Sequence, residues 1–183
     1  MKHLRATTVL LFVLLAGTAH AEDHASFRGA YVGMPVDDLR RLFPLGDMWL
    51  EPTPPNIIPP PPAGTQGLWA TRDRAHTGAK RDWQAQFLVK DGVVDSISFL
   101  SGFFDFAPTS LKEFVARMCE HYRCEHLAAN QGTDLLVGQI TVVRGRLPTG
   151  EAVEFLAPEL FGFRAYFMNV ERAPVIGISR PKF

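Results

Sequence analysis

The stretch Asp82–Leu100, DWQAQFLVKDGVVDSISFL, decides the class of fold. Two runs rich in β-branched and aromatic residues flank Lys90-Asp91-Gly92, the pattern of a β-hairpin. Loop length sets the register. If Asp91 and Gly92 alone formed the loop, Phe87 would face Ser96 and Ala85 would face Ser98. A three-residue loop, Lys90-Asp91-Gly92, pairs Val89 with Val93, Ala85 with Ile97 and Trp83 with Phe99. That register gathers the apolar side chains on one face, apart from Asp95 opposite Phe87. It also gives Gly92 the left-handed position of a bulged turn, so it is the register the pattern favours.

Upstream, Gly67–Arg72 reads as a further strand. Before it lies EPTPPNIIPPPPAG, Glu51–Gly64, in which half the residues are proline. Such a segment is extended and polyproline-like, and it reads as a stiff surface connection rather than a ligand for a proline-reading domain. Earlier still, GMPVDDLRRLFP predicts a helix. Pro35 suits its first position, Asp37 and Asp38 favour its N-terminal dipole, Val36, Leu39, Leu42 and Phe43 share one face, and Pro44 ends it. Downstream, Ser110 and Glu113 form a capping-box pattern ahead of an apolar face of Leu111, Phe114, Val115, Met118 and Tyr122. Strands are expected at Asp134–Arg144, Gly150–Leu156 and Phe163–Glu171, with Leu147-Pro148-Thr149-Gly150 turning between the first two.

Helix then strands therefore occurs twice. The expectation is an α+β fold: two helix-then-antiparallel-strands units, with the helices packed on one face of an antiparallel sheet. Residues 22–183 form a single domain on this reading, with 27–104 and 105–183 as two possible repeats.

The first 21 residues, MKHLRATTVLLFVLLAGTAHA, have the layout of a secretory signal peptide. Lys2 and Arg5 precede an apolar run from Val9 to Ala16, and Ala19-His20-Ala21 fits the cleavage pattern. The run is far shorter than the roughly 20 residues of a spanning helix. No later stretch is long and apolar enough to cross a bilayer. The expected location is periplasmic or secreted. Without the leader, 17 basic residues stand against 19 acidic ones, a formal charge of −2. Such near-balance gives no support for nucleic acid as a partner.

An oxidising compartment bears on Cys119–His126, CEHYRCEH. A disulfide between Cys119 and Cys124 is the leading reading. In an ideal helix, residues five apart have Cα atoms roughly 8.6 Å apart, beyond the roughly 7 Å that a disulfide spans. The bridge therefore requires the second helix to end or tighten near His121–Arg123. The alternative is a metal site, in which His121 and Cys124 are the pair spaced to chelate one ion. A redox-active pair is disfavoured, because a helix C-terminus raises a thiol pKa.

Enzyme signatures are missing from the sequence: no Gly-x-Ser-x-Gly, no phosphate loop and no His-Glu-x-x-His. Strand carboxylates such as Asp95 and Glu154 offer only a chance pairing. The reading is non-enzymatic and needs no cofactor. Two aromatic clusters stand out instead, Phe99–Phe106 and Leu160–Phe163 followed by Tyr166 and Phe167. The clusters read first as core, but alternation cannot bury every one of Phe103, Phe104 and Phe106. Some of these, with Trp49 and Trp69 beside the proline-rich loop, are the candidate anchors for a partner protein.

The segment Phe27–Phe43, FRGAYVGMPVDDLRRLF, resembles the start of SmpA/BamE-like and β-lactamase-inhibitor-protein-like exported modules. Phe43-Pro44-Leu45-Gly46 and the proline-rich loop depart from that pattern. The resemblance implies a binding module of the cell envelope, such as an assembly factor, inhibitor or immunity protein. It assigns no contact residue. The alternative reading is a small periplasmic metal-binding protein or hydrolase built on the Cys-His segment or the strand carboxylates.

Overall fold

Eight strands form one antiparallel sheet, and the last of the described strands lies near its middle. The computed structural model describes residues 24–54, 60–72, 82–134, 138–160 and 163–172. The leader and the centre of the proline-rich loop lie outside the described residues. Helix α1 spans Val36–Leu42. Strands β1 (Met48–Pro52), β2 (Gln66–Arg72), β3 (Asp82–Lys90) and β4 (Val93–Leu100) follow. A 3-10 turn over Ser101–Phe104 leads to α2 (Leu111–Tyr122). Strands β5 (Glu125–Asp134), β6 (Gly138–Arg146) and β7 (Ala152–Leu156) come next, then a small hairpin of β8 (Glu159–Leu160) and β9 (Phe163–Arg164), and finally β10 (Phe167–Glu171). The order across the sheet is β1-β2-β3-β4-β10-β7-β6-β5.

The expected α+β arrangement of two helix-then-strands units is not what forms. β10 pairs with β4 on one side and β7 on the other, so the sheet runs unbroken through the middle of the chain. The helices are short, at 7 and 12 residues. The fold is dominated by a single antiparallel sheet. Helical periodicity is conspicuous in a sequence, so two short helices weigh heavily in a pattern reading. β1 and β5 carry no clear alternation and escape it.

The hairpin also differs from the favoured register. Its loop is Asp91-Gly92, with Lys90 opposite Val93 and Val89 opposite Val94. Both loop residues have positive φ, 51° and 80°, which suits a two-residue hairpin turn. The register then shifts between Leu88 and Val89, leaving Asp95 as an extra residue on β4. Beyond it, Phe87 faces Ile97 and Ala85 faces Phe99. The bulge thus keeps the apolar residues together and leaves Asp95 exposed.

One face of the sheet carries the core. Phe87, Ile97, Phe99, Val153, Phe155, Met168 and Val170 are buried there with Leu39 of α1 and Phe114 and Met118 of α2. Phe99 is the hub. Its ring lies 5.0 Å from that of Phe27, 4.8 Å from Phe103 and 5.3 Å from Phe104. The start of α1 is tied to the hairpin by backbone bonds, Gly33 N–H to Val94 O and Val36 N–H to Gly92 O.

Helix α2 is capped as the sequence predicts, with one change. Ser110 Oγ accepts from the Glu113 N–H. The Glu113 carboxylate reaches back to the N–H and hydroxyl of Thr109 rather than to Ser110. The Thr109 N–H and then its hydroxyl hold that carboxyl below the ordinary range. At the other end Arg123 is left-handed, with φ 55° and ψ 46°, and its N–H donates to Cys119 O. The chain doubles back, Cys119 and Cys124 come within 4.7 Å at Cα, and the disulfide forms. The helix ends where the bridge requires. Tyr122, its last residue, packs on Phe27 at 4.6 Å.

Burial pushes the Tyr122 hydroxyl up from 10.0 to about 12, against the opposing charge of Arg28. Folding therefore favours the neutral phenol. Its contribution is fully present below pH 10.0 and is lost as the pH rises toward about 12. Urea melts between these limits should show stability falling with rising pH in part through this group, by less than a fully buried phenol would give because Tyr122 is partly exposed. Tyr122→Phe should make the decline shallower.

Candidate functional site

The five aromatics singled out in the sequence do not share a surface. Phe103 is 0 % exposed and belongs to the core, so it presents nothing to a partner. Phe104 and Phe106 are half-buried and pack against the same core. Phe106 is further covered by the Arg117 guanidinium, 4.3 Å above its ring. Trp49 and Trp69 lie on the other side of the sheet. Leu68 and Ala70 of β2 face the core, so Trp69 between them points away from it. Trp49 pairs with Thr71 and Glu51 with Trp69, which places all four on that same outer face.

Trp69 has neighbours there that the sequence reading missed. Strict alternation along β3 would put Trp83 on the core face with Ala85 and Phe87. A register shift between Ala70 and Thr71 prevents this. Ala70 faces Ala85, but Thr71 faces Trp83, and Gln84 is the extra residue. Trp83 is thereby turned to the outer face, where its ring stacks on Trp69 at 5.6 Å and meets Phe167 at 5.8 Å. Gln84 is accommodated by Gly102, where a Cβ would lie 2.3 Å from Gln84 Oε1. Phe167 takes the outer face because Met168 and Val170 face the core. It stands between Leu100 on β4 and Leu156 on β7. The result is an apolar strip, half-exposed along its length: Trp69, Trp83, Leu100, Phe167 and Leu156. The Trp69 indole N–H is buried and lacks a hydrogen-bond partner, so stacking rather than hydrogen bonding orients the ring.

A polar row runs beside the strip. Gln86, Ser98, Asn169, Glu154 and Arg144 are successive cross-strand neighbours from β3 to β6. Arg144 and Glu154 form an ion pair at 2.7 Å. At the strip's end opens a cleft of about 680 Å³, walled by Trp83, Leu100, Phe106 and Tyr166 with Asp82 and Arg164 at its rim. Rigid aromatics beside hydrogen-bonding side chains, on a backbone held by strands on both sides, have the composition of a protein-binding surface.

The edge of this region is stapled by charge. Asp105, left-handed at φ 54°, accepts from Arg72 and also pairs with Arg28. Arg72 Nε lies 3.0 Å from Asp47 but out of line for a hydrogen bond, so that contact is ionic only.

The other candidates from the sequence separate. Cys124 is bonded to Cys119, so the alternative metal pair His121 and Cys124 has no thiolate to offer. Among the described residues no three His, Cys, Asp or Glu side chains gather as a metal-binding group. Asp95 sits at the β4 bulge, away from Glu154, which is occupied by Arg144. No protein-family model, curated protein or solved structure matches the chain.

The two faces predict different mutational responses. Phe103→Ala should cost about 3–5 kcal/mol in urea unfolding, the range for a buried aromatic. Trp83→Ala, on the half-exposed strip, should cost less than half as much. Equal losses would mean that the strip is covered core.

Proposed function

We propose that this chain is an exported, periplasmic, non-enzymatic module that binds another protein through the outer face of its sheet. The observation that carries the reading is the Trp69–Trp83–Phe167 contact on the face away from the core. Apolar rings on that face do not serve the main core, and the β3 bulge that turns Trp83 outward costs the strand one regular pairing. Large aromatics presented this way supply most of the binding energy at typical interfaces. The polar row through Gln86, Ser98 and Asn169 would set orientation by hydrogen bonds. The leader-like N-terminus supports export, and the disulfide suits an oxidising compartment. An inhibitor, immunity protein or envelope assembly factor would each use such a surface.

The test is capture from envelope extract with the mature chain as bait. A stoichiometric complex is expected with the wild type. Trp83→Ala and Phe167→Ala should each weaken it at least ~10-fold, as loss of a central anchor does, with melting still cooperative. Unchanged capture by both variants would place binding elsewhere on the molecule.

A further inference from the structure

The two edges of the sheet are guarded unequally. β1 has five residues, ends in Pro52 and is followed by Pro54. Short length and proline are the usual protection of an edge strand. β5 has ten residues, and from Leu127 to Thr133 the sequence LAANQGT holds neither charge nor proline. Among the described residues no strand pairs with its outer side. Its pairing with β6 is regular from Ala128 to Asp134, beyond a bulge at its start. Leu127 through Gln131 are exposed, and Leu127, at 43 %, is the only exposed large hydrophobic among the described residues.

We propose that the free edge of β5 pairs antiparallel with the same edge of a second copy of this chain, continuing the sheet across a twofold axis. A twofold contact must be complementary to itself. With the axis at Asn130, the small Ala129 lies opposite Gln131 of the second copy. Asn130 alone meets its own copy, and its amide both donates and accepts, so it can bond its own kind. The neutral run brings no like charges together. The backbone edge supplies most of the contact. It falls short of the roughly 1,200–2,000 Å² that stable complexes bury, so the dimer is weak and concentration-dependent. β7 and β6 separate β5 from β10, so the pairing leaves the aromatic strip uncovered.

Sedimentation of the mature chain over a concentration series tests this. The wild type should show a reversible monomer–dimer equilibrium. Ala129→Lys, which sets two like charges beside the axis, should weaken dimerisation at least ~10-fold with an unchanged urea midpoint. Gln131→Lys should do the same if the first variant folds poorly. A wild type that stays monomeric throughout overturns the proposal, whether or not its edge accepts a peptide from another protein. Dimerisation of both folded lysine variants as tight as the wild type's also overturns it.

Discussion

The docking of β10 between β4 and β7 is the constraint on which the rest depends. Phe167 to Glu171 pair along their whole length with Leu100 to Ser96 on one side and Leu156 to Ala152 on the other. Last among the described strands, it reaches back to β4 from far along the sequence, so that pairing is non-local and forms against a large loop-closure entropy. What offsets that entropy is burial. Met168 and Val170 enter the core on one face. On the other, Phe167 completes the aromatic strip with Trp83. One five-residue strand thus joins the chain into one sheet and also assembles its candidate site.

Two bulges then sort the side chains. The extra residue at Asp95 lets a tight Asp91-Gly92 turn coexist with a core face of Val94, Ile97 and Phe99. The extra residue at Gln84 sends Trp83 to the outer face instead of leaving it under Ala85. Each bulge forfeits a regular ladder position, and each changes which face a large residue serves. The difference between them is informative. The first rescues the core, whereas the second places an indole on a surface where the core does not need it. That placement is why the outer face, and not the Phe99–Phe106 segment, is the candidate interface.

What the sequence made legible was local chemistry. Ser110 and Glu113 announced the start of α2, Arg123 turns where the Cys119–Cys124 bridge demanded, and Asp82–Leu100 is a hairpin. What it hid was set by distant partners. β5 is held by its backbone ladder and Glu125 to Gln131 are all exposed, so that run shows no alternation to read. Strand order across β4, β10 and β7 leaves no local trace at all. The bulge at Gln84 depends on Gly102 in the 3-10 turn carrying no side chain, and no period-2 pattern reveals it.

The account rests on Trp69, Trp83 and Phe167 being accessible when the chain is free and covered when it is engaged. Hydroxyl-radical footprinting of the mature chain, alone and in the complex recovered from envelope extract, measures both states residue by residue. The account predicts that these three rings are labelled in the free protein while Phe99 and Phe103 are not, and that the complex protects them. Rings that resist labelling in the free chain, or that label equally in the complex, would contradict it.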